Sequence, residues 1–392
     1  MVYDFESIID RRGTSSEKWN LISQDMGPGN DDVIALSVAD MEFKPAPEIV
    51  DALVDSARND IFGYDYVTDA YYDAVVGWMR RRHGYELKKE WISVSDGVMP
   101  AINTALRAFT RPGDRVIIQE PVYYPFMSAA SHNGLTLLNN QLVRDPQGRY
   151  RMDYEDLERK AADPRCKAII VCNPHNPVGR VWDEDELRRL GDICIENGVV
   201  VLCDDIHADF TYPGHETVLF GSLGERYAGH CIDFTAPTKT FNLAGLLCSN
   251  AIIADESMKR DYDAAAQNIG GLTVSHAGMV ACQAAYDHAE PWLDELGVVI
   301  RRNRDVVEDF TEGRSVDLVR PEGTYLAWLD CRRLGFDSDG LRDFMRSKAR
   351  IYCDEGGLFG MSGRGFERVN LACPTRMLER ALGSLSEALA AV

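Results

Sequence analysis

Lys239, Asn176 and Asp204 carry an amine, an amide and a carboxylate, and all three stand near the ends of apolar, strand-like runs. An amine can form a Schiff base with an aldehyde, an amide can hydrogen-bond a ring hydroxyl, and a carboxylate can keep a pyridine nitrogen protonated. Each residue alone is ordinary, since a lone lysine beside a glycine-containing loop is most often solvated. Together they predict a site for a cofactor that combines an aldehyde with a pyridine ring.

The elements that must position these residues are short apolar runs alternating with amphipathic stretches, from about residue 90 to 255. Apolar runs separated by helices predict a mostly parallel sheet buried on both faces, which is an α/β domain. Asp183 with Glu186 forms a capping box that predicts the start of one connecting helix, and Asp153 predicts the start of another. Ligands of such sheets bind at the carboxyl ends of the strands. The predicted strands cover residues 115–119, 167–172, 198–203, 231–234 and 250–254.

A second unit, of mixed helices and strands, follows residue 272. Its predicted elements are helical stretches over 274–311, a strand-rich block over 323–329, a helix over 338–348, a strand over 366–371 and a final helix over 378–391. The N-terminal 45 residues lack strong periodicity and are expected to pack with this unit. We therefore predict an N-terminal segment (1–45), a large ligand-binding domain (46–285) and a small C-terminal α+β domain (286–392).

Composition narrows the class of protein and of partner. The 392 residues are 45% hydrophobic and 27% charged, as in an ordinary globular protein, and the net charge is −20. That charge disfavours nucleic acids and anionic membrane surfaces as partners. The N-terminus has no signal-peptide pattern, and no apolar run approaches the length of a membrane span. A cytoplasmic protein is expected.

The cysteines and histidines favour no further chemistry. The ten cysteines form no Cys-x-x-Cys pair, and several lie in apolar runs, so we interpret them as reduced core residues. His207 and His215 lie close to Asp205 and Asp209, but no metal-ligand spacing is present, so no metal site is predicted.

Motifs spread over nearly the whole chain resemble one family. They are Arg12-Gly13-Thr14 with Lys18-Trp19, Val38-Ala39-Asp40-Met41-Glu42-Phe43, Phe62-Gly63-Tyr64, Asn173-Pro174-His175-Asn176-Pro177, Asp204-Asp205-Ile206-His207, Lys239-Thr240-Phe241-Asn242 and Pro321-Glu322-Gly323-Thr324-Tyr325-Leu326-Ala327-Trp328. In this order they resemble the pyridoxal 5'-phosphate enzymes of fold type I, in the class I/II aminotransferase superfamily. Within it they are most similar to the MalY/PatB group of carbon-sulfur β-lyases, the cystathionine β-lyases.

The resemblance implies roles for the residues around the pyridine ring. Lys239 would carry the cofactor as an imine and then act as general base and acid. Asp204 would lie as an anion beneath the protonated ring, and Asn176 would donate to the ring oxygen. His207 takes the position where transaminases usually have a tyrosine on the same oxygen, and it either fills that role or only packs.

The resemblance also implies a phosphate site shared between two subunits. Gly97, Val98 and Met99 match the helix start that cradles the phosphate, where backbone amides and the helix dipole favour an anion. Thr238 would add a hydroxyl. Tyr64 matches the residue that reaches across a homodimer interface to the phosphate of the other subunit, so complete active sites would require a homodimer.

The remaining implied contacts concern the ring face and the substrate. Tyr123 stands where an aromatic ring stacks on the cofactor, with Tyr124 as the alternative, because a turn leaves the inward ring undetermined. Arg368 matches the arginine that grips the substrate carboxylate with its planar fork. The substrate side chain is expected near Ala39 and Asp40.

Two departures from the transaminase pattern favour a lyase. Leu247 stands where transaminases usually place an arginine on the phosphate, and Ala236 replaces a usual serine. The arginine is also missing in MalY-like lyases. We therefore predict a β-lyase that cleaves L-cystathionine or a related L-cysteine thioether to thiol, pyruvate and ammonia. An aminotransferase is the alternative, and a non-enzymatic regulator that keeps the fold is the rival from another class.

Overall fold

The computed structural model describes residues 2–391 and contains one large and one small main sheet with helices packed on them. The strands are β1 (Ile34–Ala35), β2 (Ile92–Ser95), β3 (Arg115–Ile118), β4 (Thr136–Asn139), β5 (Val143–Arg144), β6 (Tyr150–Arg151), β7 (Cys166–Cys172), β8 (Val200–Asp204), β9 (Cys231–Thr235), β10 (Ser249–Ile252), β11 (Asp317–Val319), β12 (Leu326–Asp330), β13 (Ile351–Tyr352), β14 (Asp354–Glu355) and β15 (Phe366–Asn370). The helices are α1 (Glu17–Met26), α2 (Pro47–Asn59), α3 (Asp69–His83), α4 (Val98–Phe109), α5 (Pro125–His132), α6 (Tyr154–Ala161), α7 (Glu184–Glu196), α8 (Glu225–Ala228), α9 (Pro237–Thr240), α10 (Glu256–Asn268), α11 (His276–His288), α12 (Glu290–Thr311), α13 (Ser338–Asp343) and α14 (Thr375–Leu389).

The large sheet has seven strands in the order β2-β10-β9-β8-β7-β3-β4. The strands from β9 to β4 are parallel to one another, whereas β10 runs antiparallel to both of its neighbours, β9 and β2. This confirms the predicted α/β fold with a mostly parallel sheet. The run at 250–254 was expected to be one more strand of that sheet, and nothing in its apolar pattern indicates the reversed direction.

The register of the central strands brings their carboxyl ends together. Asp204, the last residue of β8, lies opposite Cys172 of β7 on one side and opposite Phe234 of β9 on the other. Because β7, β8 and β9 are parallel, the loops that follow all three leave the sheet at the same edge. That edge therefore receives Asn176, Asp204 and Lys239.

The connecting helices begin where the capping residues predict. The Asp183 side chain accepts from the backbone N–H of Glu186, and the Glu186 side chain accepts from the backbone N–H of Asp183. This capping box starts α7. The Asp153 side chain accepts from the N–H of Asp156 and caps α6. The buried face of α7 carries Leu187, Leu190 and Cys194. Each such side chain contributes about 1.5 to 3 kcal/mol when it is removed from water, which fixes α7 on the sheet.

The small sheet has the order β11-β12-β15-β14. A separate two-stranded pairing joins β1 in parallel to β13, so residue 34 lies opposite residue 351. The N-terminal segment thus contacts the C-terminal part of the chain. The domain limits at 45 and 285 stay a prediction.

All ten cysteines are buried free thiols. In residues 2–391 no helix is both long and apolar enough to cross a membrane.

Candidate active site

Lys239 lies on α9, the short helix that follows β9, and its side chain is partly buried. Its Nζ donates to the backbone carbonyl of Ala39 at 2.7 Å. Burial, together with the positive charge of Arg368, lowers the pKa of the Lys239 amine to about 8, although Asp40 and Asp204 oppose this shift. A larger fraction of this amine is therefore neutral near pH 7 than in a solvated lysine, which favours reaction with an aldehyde.

The segment that accepts from Lys239 is held in place by side chains of three other elements. The Ala39 carbonyl also accepts from the Tyr325 hydroxyl at 2.9 Å. Asn242 accepts from the Met41 N–H at 2.9 Å and donates back to the Met41 carbonyl at 3.1 Å. Asn370 donates to the carbonyls on either side of Ala39, those of residues 38 and 40, at 2.7 and 2.6 Å. These hydrogen bonds together fix the position of the Ala39 carbonyl.

The Asp40 carboxylate belongs to a cluster of four charged side chains. It pairs with Arg11 at 2.7 Å and with Lys18 at 2.9 Å, and both cations also contact Glu42. Burial raises the pKa of Asp40, but the two cations outweigh it and the net shift is downward. Lys18 is 1% exposed, so the ion pairs are needed to keep this buried charge satisfied. The predicted contact of Asp40 with the substrate stays a prediction, and in this structure its carboxylate is occupied by the cluster.

Asp204 is 3% exposed at the carboxyl end of β8. Burial raises the pKa of its carboxyl to about 7, while a hydrogen bond from the Ile206 N–H and the charge of Lys239 act in the opposite direction. A cationic ring nitrogen beside this carboxyl would favour its ionised form. The site thus suits a pyridinium, and a neutral ring would leave Asp204 partly protonated near pH 7.

Arg368 and Asn176 meet beside Lys239. Arg368 is 3% exposed on β15. It donates through Nη1 to Asn176 Oδ1 at 2.9 Å and through Nη2 to Asp354 Oδ2 at 2.5 Å, and its guanidinium lies 4.8 Å from the centre of the Phe359 ring. Because Oδ1 of Asn176 is occupied by Arg368, its Nδ2 is left as the donor for a ring oxygen. Arg368 Nε has no partner among residues 2–391.

His207 lies in the same cluster, buried at 2% exposure, with its ring 5.6 Å from that of Tyr325. Burial and the positive charges of Lys239 and Arg368 hold its pKa well below the ordinary value, so the ring is neutral. Its Nδ1 has no partner within the described chain. A neutral imidazole with a free nitrogen can serve the ring oxygen, and it also packs on Tyr325. Both expectations for His207 therefore remain open.

The two adjacent tyrosines have rings 5.5 Å apart but differ in burial. Tyr123 is half-buried, and burial together with the nearby Tyr124 and Asp204 raises the pKa of its hydroxyl. Tyr124 is 42% exposed, and its ring packs edge-to-face with the ring of Phe359, with 5.9 Å between the ring centres. The proximity of Tyr123 to Asp204 favours Tyr123 as the ring that stacks on a pyridine.

The predicted phosphate site lies at the start of α4. Gly97 is the N-cap, and the backbone N–H groups of Val98 and Met99 have no carbonyl one turn earlier to accept them. A Cβ on Gly97 would lie 3.3 Å from Pro100, so the backbone there is close-packed on one side and open on the other. Thr238, directly before Lys239, is half-buried. These groups form an anion site of the kind expected at a helix N-terminus.

Two predicted features lie apart from this cluster. Tyr64 is fully exposed, and the structure of one chain does not bring it to Lys239. Leu247, at the position of the transaminase arginine, is 52% exposed with φ of 55°, a left-handed conformation that a leucine rarely adopts. The side chain at position 247 is therefore uncharged and cannot pair with a phosphate.

The residues present fit pyridoxal 5'-phosphate. Two buried polar atoms next to Lys239, Arg368 Nε and His207 Nδ1, lack partners in residues 2–391, and such atoms are costly unless a ligand satisfies them. The amine of Lys239, the carboxyl of Asp204 and the helix start at Val98 supply one group each for an aldehyde, a ring nitrogen and a phosphate.

Sequence reasoning assigned no role to three residues that shape the site. Asn242 and Tyr325 lie inside the motifs at 239–242 and 321–328, so their segments were recognisable although their contacts to Met41 and Ala39 were not. Asp354 gave no signal, because its contact with Arg368 depends on the pairing of β14 with β15.

Comparisons with known proteins agree with this geometry. A family model described as aminotransferase class I and II matches residues 31–385. Cystathionine beta-lyase PatB of Bacillus subtilis (strain 168) is 38% identical over 388 residues, covering 98% of this chain and 100% of PatB. Protein MalY of Escherichia coli (strain K12) is 30% identical over 395 residues and covers 100% of both chains. The crystal structure of cystalysin from Treponema denticola, which contains a pyridoxal 5'-phosphate cofactor, superimposes with a TM-score of 0.97 at 39% identity and 100% coverage of both chains. The chain belongs to the aminotransferase class I and II family.

Proposed function

We propose that this protein is a pyridoxal 5'-phosphate-dependent carbon-sulfur β-lyase that converts L-cystathionine or a related L-cysteine thioether to thiol, pyruvate and ammonia. The observation that carries the proposal is the convergence of Lys239, Asp204, Asn176 and Arg368 on one edge of the sheet. The full-length similarity to cystathionine beta-lyase PatB supports the choice of reaction. The same four residues argue against a regulator without catalysis, which would have no need of the lysine.

Each residue has a task that its surroundings support. Arg368 holds the substrate carboxylate through N–H groups that Asn176 and Asp354 leave free, because a guanidinium has five donors. This contact orients the substrate Cα towards Lys239, whose neutral amine removes the Cα proton at Nζ. Pyridoxal phosphate supplies the electron sink for the negative charge that develops at Cα. The same Nζ then delivers or relays the proton while thiolate leaves from the β-carbon.

The active form is proposed to be a homodimer in the cytoplasm. The arm, defined as residues 60–67, exposes four large apolar or aromatic side chains: Ile61, Phe62, Tyr64 and Tyr66. Such a patch on a soluble monomer indicates an interaction surface. A second copy of the chain would cover it and receive the Tyr64 hydroxyl at its phosphate site. Free thiols at all ten cysteines support a reducing compartment.

The proposal is tested by incubating purified protein with L-cystathionine and measuring pyruvate, ammonia and homocysteine. We expect the three products in equal amounts, and formation of all three to be slower by about 10²-fold or more in Lys239→Ala. An aminotransferase would instead give no thiol product, since it leaves the carbon-sulfur bond intact. A keto acid that keeps the carbon-sulfur bond, with no homocysteine and with turnover only when an acceptor keto acid such as 2-oxoglutarate is added, would replace the lyase with that alternative.

A further inference from the structure

A cavity of about 430 Å³, separate from the Lys239 cluster, is unusually cationic. Its described lining includes five arginines and a histidine: Arg144, Arg149, Arg180, Arg304, Arg320 and His215. Glu322 is the acidic residue among the described lining side chains. The whole chain carries a net charge of −20, so this positive surface is a local arrangement and not a reflection of composition. We call it the arginine cavity.

Several of these guanidinium groups keep unused donors. Arg149 uses Nε for Glu322 at 2.7 Å, and Arg144 uses Nε for a loop carbonyl and Nη1 for Asp330 at 2.8 Å. The remaining terminal nitrogens of both side chains have no protein partner in the described part of the chain. Asp330 pairs with Arg144 but is not among the residues that line the cavity. The donors that face the cavity therefore remain available to an anion.

Arg180 has a different role from the others. It is 2% exposed, and it pairs with Glu322 at 2.8 Å and with Glu186 at 2.6 Å. This buried network fixes the wall of the cavity and the position of Glu322. Arg180 is therefore part of the frame, whereas Arg149 and Arg320, which are 35% and 70% exposed at their side chains, present the accessible charge.

Tyr212 adds a buried polar atom to the same wall. Its ring lies 4.6 Å from the guanidinium carbon of Arg304, and its residue is 4% exposed. The Tyr212 hydroxyl has no hydrogen-bond partner among residues 2–391. A buried hydroxyl without a partner is rare in a folded protein, and because Tyr212 lines both the arginine cavity and a second cavity that includes Arg301, an acceptor bound in either would supply one.

The cavity adjoins the turn that carries Asn176. The backbone carbonyl of Arg180 accepts from the backbone N–H of His175 at 2.7 Å. The backbone carbonyl of Gly179 accepts from the backbone N–H of Glu322 at 2.7 Å. Asn176 lies inside this turn, between His175 and Gly179. An occupant that moves Arg180 or Glu322 therefore acts on the residue that contacts Arg368 in the active site.

We propose that the arginine cavity binds a small anion that carries a phosphate or pyrophosphate group. The volume is within the range of small-molecule sites, and the lining comes from residues 144–150, 178–180, 212–215, 304 and 318–322. Guanidinium forks match phosphate oxygens in geometry as well as in charge. A cationic pocket of this kind favours multivalent anions over neutral metabolites.

The test uses the holoenzyme after borohydride reduction, so that the cofactor stays fixed and its own phosphate fills the site at α4. Inorganic pyrophosphate is titrated by calorimetry into the wild type, Arg320→Gln, Arg149→Gln and Arg188→Gln. Arg188 is the control, because it is 37% exposed at its side chain, pairs with Glu184, packs on Tyr227 and is not among the residues that line the cavity. We expect Arg320→Gln or Arg149→Gln to weaken binding roughly tenfold to a hundredfold, and Arg188→Gln to leave it unchanged.

Absence of pyrophosphate binding to the wild type would overturn the proposal. So would equal binding by all four proteins, or an equal loss in Arg188→Gln, which would indicate a general charge effect. Arg320 is exposed and makes one long contact, at 3.5 Å, so its variant keeps the fold and the test does not depend on Arg149. None of these outcomes bears on the lyase proposal.

Discussion

The surroundings of Lys239 and the arm at residues 60–67 differ in how far a single chain completes them. Around Lys239 several polar groups are fixed by neighbours in the same chain, as with the Ala39 carbonyl that accepts from both Lys239 and Tyr325. On the arm, Tyr64 has no neighbours that bury it. The reacting groups are thus organised within one subunit, whereas the contact proposed for Tyr64 requires a second one.

Lys239→Ala should have the largest effect. Removing the proton-transferring amine lowers turnover between about 10² and 10⁴-fold, and the cofactor can no longer be fixed to the protein by borohydride at this position. Lys259→Ala is the control, because Lys259 lies on the surface and pairs with Asp263. Peptide mapping of the reduced wild type checks the assignment, and a label on any lysine other than Lys239 would contradict it.

Arg368→Gln should cause the next largest loss of activity. The substrate carboxylate loses its charged partner and Asp354 is left buried without one, so kcat/KM should fall by about thirtyfold to several-thousandfold, equivalent to about 2 to 5 kcal/mol. The loss should appear mainly in KM. Arg364→Gln, a nearby arginine for which the described chain shows no ion pair, is the control. A normal KM in Arg368→Gln would place the carboxylate elsewhere.

Tyr64→Phe probes the other region. A hydroxyl bonded to a charged phosphate is worth about 1.5 to 3 kcal/mol, so cofactor affinity should weaken roughly tenfold to a hundredfold. Tyr66→Phe, on the same arm and 82% exposed, should leave affinity unchanged. Titration of the apoenzyme with pyridoxal phosphate measures both, and sedimentation shows whether each variant is dimeric. Equal affinities would make Tyr64 only a packing residue.

Replacing His276 should have the smallest effect, which is on the stability of the arm and depends on pH. Its Nδ1 lies 2.8 Å from Asp65 and its Nε2 lies 3.1 Å from Asp60 and 2.9 Å from the Ser56 hydroxyl, while Phe62 packs on its ring. The hydrogen bond with Asp65, against some desolvation, raises the pKa of His276, and Asp60 adds to the rise.

A raised pKa means that protonated His276 stabilises the folded arm. The stabilisation is complete below the ordinary histidine pKa and is lost as the pH rises through the raised value. Hydrogen-exchange protection of the arm, corrected for intrinsic rates, should therefore fall with rising pH in the wild type. The expected change is a few-fold, and His276→Gln should abolish it. A pH-dependent loss that persists in His276→Gln would assign the titration to another group.

Much of the buried site could be predicted because its members follow strand ends, and parallel strands deliver their carboxyl ends to one edge. Asp204 and Asn176 are examples. What could not be predicted depends on pairing between distant elements. The contact of Asp354 with Arg368 follows from the register of β14 on β15, and the reversed direction of β10 leaves no mark in its apolar sequence. The contact proposed for Tyr64 was implied by its motif, and the exposed position of its side chain in one chain does not test it.

The central claim is that the reaction is an elimination that regenerates its cofactor in every cycle. The most direct measurement is the amount of pyruvate released from excess L-cystathionine per active site, without any keto acid in the solution. We predict many equivalents of pyruvate, with a rate that added 2-oxoglutarate does not change. Absence of pyruvate would contradict the account, with formation instead of a keto acid that keeps the carbon-sulfur bond, limited to one equivalent per site until 2-oxoglutarate is added.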